Sequence, residues 1–265
     1  MNKNNNKPNI LGVIPARGGS KSIKKKNIVN INGHPLIAYT IIEALKSKYI
    51  THLITSSDDD DIRVASEQYG CEASFRRPSE LSNDHAKSVD CDLHATKFME
   101  KKYQIKYDYV IELMCTNPLK TSEDIDAALT LQIETNADSV IAVVKLEDHH
   151  PLRIKRIEKG LIKDFTKELR EKPESRRQDL KPEAFIRNGS IYSMRRDMLE
   201  RRIRHGSNNS RAYIMPIERT VNIDEERDLL VAQILLDQNP KSNMTTKLSR
   251  NEAIKRINNY DWNNF

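Results

Sequence analysis

The sequence has few cysteines, and their placement argues against two common kinds of site. Cys71, Cys91 and Cys115 are odd in number and form no CxxC pair, which disfavours a disulfide framework and a thiolate zinc site. No stretch approaches the ~18 consecutive apolar residues of a membrane helix, and the polar, basic residues 1–8 lack the apolar core of an export signal. These absences predict a cytoplasmic protein without a membrane partner.

Aromatic residues are missing from the basic stretches. The 265 residues include 44 lysines and arginines against 38 acidic residues, a net charge of +6. The densest basic stretches are residues 21–26 and 195–204. Neither contains the interleaved aromatic residues on which the bases of single-stranded nucleic acid stack. Zinc-finger and basic-zipper patterns are also absent. We therefore expect no nucleic-acid partner, whereas a small polyanionic ligand remains compatible with the charge.

Apolar strands alternate with helices through the first part of the chain, which is typical of an α/β fold with a parallel sheet. An Asn-Gly pair predicts a tight turn at residues 32–33. Ser122 is the expected cap of the fourth helix. Strands are predicted at residues 9–15, 52–55, 71–75, 109–113 and 139–144, and helices at 35–45, 59–69, 88–102 and 121–134.

The alternation fails between residues 149 and 183, which are highly charged and contain three prolines. This segment is predicted to be an excursion from the sheet. Strands at 189–194 and 212–217 and a helix at 224–238 follow, and residues 248–257 predict a short helix in the tail. The expected organisation is one domain at 9–240, with 149–183 as its excursion and 241–265 as a C-terminal tail.

The first strand runs into a glycine-bearing, basic loop at residues 16–27. Glycines let a backbone approach phosphate closely, and Arg17, Lys21 and Lys26 supply positive charge for a triphosphate. The loop has neither the GxxxxGK[ST] nor the GxGxxG pattern, so neither a P-loop ATPase nor a dinucleotide-binding dehydrogenase is indicated. On spacing alone, a solvated basic loop is an equally good interpretation.

Six segments in order resemble the motifs of the acylneuraminate cytidylyltransferases, which make CMP-activated nonulosonic (sialic-acid-like) sugars. Ile14-Pro15-Ala16-Arg17-Gly18-Gly19-Ser20-Lys21 with Lys26-Asn27 is similar to the opening signature of that family. The other segments are residues 77–84 with Ser88 (RPxEL), 116–120 (TSPLR), 176–180 (RRQDL), 188–192 (NGAIY) and 222–224 (the DID metal segment).

The resemblance implies a three-layer, Rossmann-like (GT-A-like) nucleotidyltransferase with a mixed sheet, which transfers CMP from CTP to the anomeric hydroxyl of a nonulosonic acid and releases pyrophosphate. It implies Mg²⁺, with Mn²⁺ as an alternative, and a homodimer in which residues 149–183 close the partner's sugar site. The implied nucleotide-binding residues are Ala16, Arg17, Gly18, Gly19, Ser20, Lys21, Lys26, Asn27, Arg77 and Ser88. The implied sugar-binding residues are Thr116, Gln178, Arg187 and Asn188, the metal ligands Asp224 and Asn222, and the catalytic residues Arg17, Lys26 and Asp224.

The chain also departs from the family pattern. Met114 stands where the family often has a base-reading glutamine, and a thioether cannot supply an amide hydrogen bond to cytosine. Asn222 replaces the first aspartate of the metal segment, which keeps an oxygen ligand and loses a charge. Ser22, Lys24 and Lys120 replace a glycine, a proline and an arginine.

Alternatives stay open for the function and for single residues. The rival functions are a cytidylyltransferase for an eight-carbon keto-acid sugar, a glycosyltransferase and a non-catalytic nucleotide-binding relative. Arg77 is also placed to pair with Glu80, and Ser88 and Asp224 are each placed to cap the helix that follows. The acidic residues 58–61 fit a capped helix start better than a metal site.

Overall fold

The computed structural model describes residues 7–238 except 147–148, 167, 169 and 173–174. Within this range lie a six-stranded sheet and two small hairpins. The strands are β1 (Ile10–Pro15), β2 (Asn30–Ile31), β3 (His34–Pro35), β4 (His52–Ser56), β5 (Tyr109–Leu113), β6 (Ser139–Lys145), β7 (Lys155–Glu158), β8 (Leu161–Asp164), β9 (Phe185–Arg195) and β10 (Ser210–Ile214).

The main sheet has the strand order β10-β6-β9-β5-β1-β4. Strand β1 is parallel to both β4 and β5, and β10 is parallel to β6. Strand β9 is antiparallel to its two neighbours, β5 and β6. The mixed sheet implied by the resemblance is therefore confirmed, with β9 as its one reversed strand among those described.

Helices cover both faces of the sheet. Along β1, Ile10 and Ile14 contribute to one apolar core, whereas Leu11 and Val13 contribute to another. This alternation is the period of a strand that is buried on both sides. The first core packs against α1 (Leu36–Lys46), α2 (Asp60–Gln68), α4 (Ser122–Thr135) and α6 (Glu226–Gln238), and the second against α3 (Ser88–Tyr103) and α5 (Arg196–Glu200). The predicted three-layer arrangement is confirmed.

Two local predictions are wrong. The buried alternation of Cys71, Ala73 and Phe75 is typical of a strand, but residues 71–75 form a single isolated bridge with β4, between Glu72 and Ile54, instead of a ladder. The cap of α4 is Thr121 rather than Ser122. Thr121 and Asp124 form a reciprocal capping box, in which each side chain accepts from the other residue's backbone N–H.

The acidic residues 58–61 begin α2, as the helix-start interpretation predicted. The Asp59 side chain accepts hydrogen bonds from the backbone N–H groups of Asp61 and Ile62. Asp60 and Asp61 lie in the first turn, where negative charge is favourable. The cluster therefore has a structural explanation.

Residues 149–183 leave the sheet, and their described part contains the hairpin of β7 and β8. The Asn32-Gly33 turn joins β2 to β3, with positive φ angles of 50° and 87°. No helix within the described residues combines the length and apolar character needed to cross a membrane. The helix predicted at 248–257 lies outside the described residues.

Candidate active site

A cleft of about 620 Å³ opens at the carboxyl ends of the parallel strands β1 and β5, which is where open α/β sheets bind ligands. Its walls come from segments spread between Pro15 and Asp224. The predicted site residues that line it are Arg17, Ser20, Lys21, Lys26, Asn27, Arg77, Ser88, Thr116, Asn222 and Asp224. The fold thus brings together residues predicted from four of the six segments.

The loop after β1 is held by hydrogen bonds to its own backbone and to β4. The Ala16 N–H donates to the Ser56 carbonyl over 3.0 Å, and Ala16 is fully buried. The Asn27 side-chain amide donates to the Arg17 carbonyl over 3.0 Å. Ala16 and Asn27 therefore set the shape of the loop that presents Arg17 and Lys21 to the cleft.

Gly18 and Gly19 line a neighbouring acidic hollow rather than the cleft. The Gly18 N–H donates to Oδ1 of Asp58 over 3.1 Å. A Cβ atom at Gly18 would lie 2.7 Å from Oδ2 of Asp59, so this position requires glycine for close packing against the start of α2. Their assignment to nucleotide binding stays a prediction.

Asp84 neutralises two cations of the loop. Its carboxylate lies 2.8 Å from Nη1 of Arg17 and 2.6 Å from Nζ of Lys21. The hydrogen bonds from Lys21 and then Arg17 lower the pKa of Asp84. In this structure Asp84 therefore occupies the position in which Arg17 and Lys21 would meet an anionic ligand.

Lys26 links the basic loop to the predicted metal segment. Its Nζ donates to the Ile223 carbonyl over 2.8 Å and lies 3.2 Å from Oδ1 of Asp224. The Asn222 amide donates to the other Asp224 oxygen over 2.5 Å. The helix-cap alternative for Asp224 is not realised, because its two carboxylate oxygens accept from Lys26 and Asn222 and α6 begins at Glu226.

The Asp224 segment fits a magnesium ion that is also held by substrate. Asp224 is 63% exposed and offers an anionic oxygen to the cleft, beside the amide oxygen of Asn222. No cluster of three or more acidic, histidine or cysteine ligands exists among the described residues. Mg²⁺ is commonly held in this way, by one or two carboxylates together with substrate phosphates and water.

Arg77 and Ser88 both face the cleft, and their alternative roles are not realised. Arg77 is buried and donates from Nε to the Ser82 hydroxyl over 3.1 Å, and its Nη2 lies 3.5 Å from Asp58 rather than pairing with Glu80. The N-cap of α3 is Lys87, so Ser88 is not the cap. Ser88 lines the cleft close to Glu112.

A buried lysine supports the loop that follows β5. Lys120 Nζ donates to the Thr40 hydroxyl over 2.8 Å and to the carbonyls of Met114 and Asn117 over 2.7 and 2.5 Å. Burial lowers the pKa of Lys120 to about 8. The backbone that carries Met114 and Thr116 into the cleft is therefore tied to α1 through one ammonium group.

The predicted sugar residues divide into separate groups. Thr116 lines the cleft. Gln178 lines a different cavity beside His150 and the start of β9. Arg187 is exposed and donates to the His205 ring, and the buried Asn188 amide contacts Met215 Sδ at 3.0 Å. Within one chain, the structure does not bring Gln178, Arg187 or Asn188 to the cleft.

Three residues of the site were missed from the sequence. Tyr192 and Arg204 line the cleft. The buried Glu112 pairs with Arg204, whose Nε and Nη2 lie 2.7 and 2.6 Å from Oε2 of Glu112. One signal existed: a glutamate in the middle of the apolar strand Tyr109–Leu113 needs a partner. Arg204 stood at the end of a basic stretch with no motif to single it out.

A family model described as cytidylyltransferase matches residues 11–259. The chain belongs to the cytidylyltransferase family. This membership agrees with the basic loop, the cleft and the acidic segment that meet in the fold, and it makes the chain a nucleotidyltransferase.

Named relatives cover nearly the same length as this cytidylyltransferase. The pseudaminic acid cytidylyltransferase of Campylobacter jejuni is 32% identical over 233 residues, which are 88% of this chain and 98% of the relative. The CMP-N,N'-diacetyllegionaminic acid synthase of the same species is 30% identical and covers 86% of this chain and 94% of the relative.

A solved structure supports the fold. The CMP:2-keto-3-deoxy-manno-octonic acid synthetase, in complex with CTP, matches with a TM-score of 0.61 and 20% sequence identity. The match covers 87% of this chain and 99% of the other. At this identity the likeness bears on architecture alone, and it agrees with the Rossmann-like nucleotidyltransferase fold.

Proposed function

We propose that this cytidylyltransferase transfers CMP from CTP to the anomeric hydroxyl of a nonulosonic acid and releases pyrophosphate. The observation that carries the proposal is the convergence of Arg17, Lys21 and Lys26 with Asp224 in one cleft. Relatives at 30% identity or more that act on pseudaminic and legionaminic acids favour this substrate class.

In the reaction, the anomeric oxygen attacks the α-phosphorus, and the bond from that phosphorus to the bridging β-phosphate oxygen breaks. Such a transfer depends mainly on positioning and on neutralising charge. Arg17 and Lys21 stabilise the charge that develops on pyrophosphate once they exchange Asp84 for the triphosphate. Lys26 orients the Asp224 carboxylate through its contacts with residues 223 and 224.

We assign the implied Mg²⁺ to Asp224, with Asn222 as a neutral ligand or hydrogen-bond partner. A hard dication prefers an anionic oxygen, and within residues 222–224 only Asp224 supplies one. When bound, the ion would neutralise phosphate charge and acidify the sugar hydroxyl. Mn²⁺ is the expected substitute.

Release of pyrophosphate from CTP distinguishes the proposed reaction from two rival functions. A glycosyltransferase starts from a finished nucleotide sugar and releases no pyrophosphate from CTP, and a non-catalytic relative releases none at all. An eight-carbon keto-acid cytidylyltransferase releases pyrophosphate with a different sugar. Residues 176–180 and 188–192, which resemble nonulosonate motifs, argue against that sugar.

The test is a screen of CTP and UTP against free sialic, legionaminic, pseudaminic and eight-carbon keto-acid sugars, with pyrophosphate as the readout. We expect release with CTP and a nonulosonic acid, dependent on Mg²⁺ or Mn²⁺ and abolished by a chelator. Pyrophosphate release with the eight-carbon sugar alone would show that this sugar, and not a nonulosonic acid, is the substrate. No pyrophosphate release with any sugar would refute the proposed activity.

We also propose a homodimer formed through residues 149–183. The β7–β8 hairpin exposes Ile157, Leu161, Ile162 and Phe165 at 76%, 63%, 75% and 59%, and an apolar patch of this kind is typical of an interaction site. Because Gln178 does not line the cleft of its own chain, a sugar-binding role for it requires a second copy.

Subunit complementation tests whether Gln178 acts across that interface. Gln178→Ala and Asp224→Asn each damage one half of a shared site. If Gln178 serves the other subunit, each mixed dimer contains one intact site of two. Since random pairing makes about half of the dimers mixed, an equimolar mixture recovers roughly a quarter of wild-type activity. If it serves its own subunit, mixing the two variants restores nothing.

We place the reaction in the cytoplasm, where a CTP pool exists. Cys71, Cys91 and Cys115 are all buried as free thiols, which suits a reducing compartment.

A further inference from the structure

Two acidic side chains are buried next to each other behind the cleft. Glu112 lies on β5 and Asp92 on α3, and both are fully buried. Glu112 faces α3 because it alternates with the core residues Ile111 and Leu113 of the opposite face. Asp92 and Glu112 are electrostatic neighbours, because the charge of Glu112 is, after burial, the next cause that raises the pKa of Asp92.

The hydrogen-bond pattern indicates a proton between them. Oε2 of Glu112 accepts from Arg204, whereas Oε1 of Glu112 and both Asp92 oxygens are buried without a hydrogen-bond partner among the described residues. Two neighbouring carboxylates buried without donors are strongly disfavoured, and a proton on one of them both removes a charge and supplies a donor. Burial is the main cause that raises the pKa of Asp92 well above its usual range, and it also raises that of Glu112.

The surrounding charges also fit one proton. Arg204 pairs with Glu112 directly, and Arg77 faces Asp92 from the other side while it is itself paired with Asp58. The remaining neighbours, the Ser88 hydroxyl, the Cys91 thiol and the Tyr192 ring, carry no charge at neutral pH. A pair with one proton and Arg204 together are neutral, whereas two carboxylates would leave an uncompensated buried charge.

Arg204 connects this pair to the cleft. Its guanidinium lies 3.5 Å from the centre of the Tyr192 ring, and its side chain is 21% exposed. Its Nη1 has no partner within the described residues, so it is available to a ligand. Tyr192 shares β9 with Gly189, which also lines the cleft.

We propose that Asp92 and Glu112 hold one shared proton, and that they thereby position Arg204 to bind the carboxylate of the acceptor sugar. The inference rests on the proposed function, because a nonulosonic acid carries that carboxylate. Arginine is suited to the role, since its planar fork binds carboxylate while it is anchored by Glu112 and stacked on Tyr192. Asp92 acts through Glu112 and Arg204, and is a positioning residue.

The shared proton sets the charge that an anionic substrate meets. With the proton, the Asp92–Glu112–Arg204 group is neutral, and a carboxylate can bind to Arg204. Without it the group has a charge of about −1, which repels the substrate. The KM for the sugar should therefore rise at alkaline pH, while the KM for CTP changes less.

The first test needs no substrate. Asp92→Asn replaces the shared proton with an amide N–H that donates to Glu112 at every pH. Between the unfolded-state and folded-state pKa values of Asp92, the native wild type holds one more proton than the unfolded chain, so its stability falls as pH rises. Relative to D92N, its unfolding equilibrium constant should grow by up to about tenfold per pH unit.

Asp90→Asn is the matched control, because Asp90 lies on the same helix, pairs with Arg202 at the surface and does not line the cleft. Its stability should parallel that of the wild type over the same pH range. The infrared band of a protonated carboxylic acid should be present at neutral pH in the wild type and in D90N, and absent in D92N.

The second test is kinetic. Arg204→Gln should raise the KM for the sugar roughly tenfold to a hundredfold, while the KM for CTP changes less than about twofold. In D92N the KM for the sugar should stay flat up to pH 9, whereas in the wild type and in D90N it rises.

Each result decides a different part of the inference. Parallel pH profiles for wild type and D92N, together with no carboxylic-acid band, would overturn the shared proton. A selective rise of the KM for CTP in R204Q would overturn the sugar assignment. If the wild type releases no pyrophosphate, the proposed function fails, and with it Arg204's role toward that sugar, while stability and infrared still decide the shared proton.

Discussion

Lys26 and Asp224 are 198 residues apart in the chain, yet Nζ of Lys26 lies 3.2 Å from Oδ1 of Asp224. This contact joins the basic loop after β1 to the segment that precedes α6. The side chain proposed to bind phosphate thus also holds the side chain proposed to bind metal. A change in one is expected to alter the other.

Asp224→Asn should lower turnover by about two orders of magnitude or more, because the amide cannot replace an anionic metal ligand. Folding stability should change little, since Asp224 is mostly exposed and does not cap α6. Asn222→Ala should cost about tenfold in turnover. Steady-state rates at saturating Mg²⁺ and urea unfolding measure both effects.

Asp228→Asn is the control for that experiment. Oδ2 of Asp228 accepts hydrogen bonds from the N–H groups of residues 224 and 225, and the amide oxygen of an asparagine can accept the same bonds. D228N should therefore keep near-normal turnover. An Asp224→Asn enzyme with normal turnover at saturating Mg²⁺ would remove the metal assignment.

Asp84→Asn should lower the KM for CTP, because it removes the carboxylate that competes with the triphosphate for Arg17 and Lys21. Both partners are well exposed, so we expect an effect of at most about fivefold, which added salt reduces. Initial rates at low and high ionic strength provide the measurement. A raised KM for CTP in D84N would show that Asp84 assists the nucleotide instead of competing with it.

Lys120→Met should destabilise the fold by about 2–4 kcal/mol, because it leaves the Thr40 hydroxyl and the carbonyls of Met114 and Asn117 without their donor. Lys120→Arg keeps charged donors at the same place and should cost less. Urea unfolding at neutral pH compares the two variants. Equal losses in both would mean that packing, rather than hydrogen bonding, decides this site.

The same lysine predicts a pH dependence. Its pKa is about 8 in the fold against 10.5 for a free lysine, so between these values the unfolded chain binds more protons than the native one. The free energy of unfolding of the wild type should therefore rise relative to that of Lys120→Met from about pH 8 to about pH 10.5. A constant difference between the two proteins would contradict the lowered pKa.

Ile157→Asp combined with Ile162→Asp should convert the proposed homodimer into a monomer. These side chains are paired across the β7–β8 hairpin and are about three-quarters exposed, so charges there are tolerated by one chain and disfavoured at an apolar interface. Sedimentation velocity measures the outcome. A wild type that is already monomeric and fully active at high dilution would refute the dimer.

The sequence predicted the elements whose signal is local. The apolar runs of β1 and β5 and the capped start of α2 at Asp59 were found close to their true bounds. Residues 71–75 have the same alternation as a strand but lie beside β4 with only one isolated bridge. Whether a segment pairs into a sheet depends on the neighbouring strand, and the alternation within that segment alone does not reveal it.

The site residues also differ in whether a local sequence pattern marks them. Arg17, Lys26 and Asp224 belong to recognisable segments, and the structure brings them into one cleft. Arg204 is positioned by contacts with Glu112 on β5 and Tyr192 on β9. A contact between three separate segments leaves no spacing to detect in any one of them.

The position of β9 has a consequence for how the protein is made. β9 lies between β5 and β6 and is hydrogen-bonded to both, so nothing joins these two strands until residues 185–195 leave the ribosome. Before then the nascent chain presents one open edge of β5 and both edges of β6, the kind of surface that promotes association between chains. A chaperone that shields β5 and β6 during synthesis should therefore raise the yield of this protein, and chains truncated before Phe185 should aggregate.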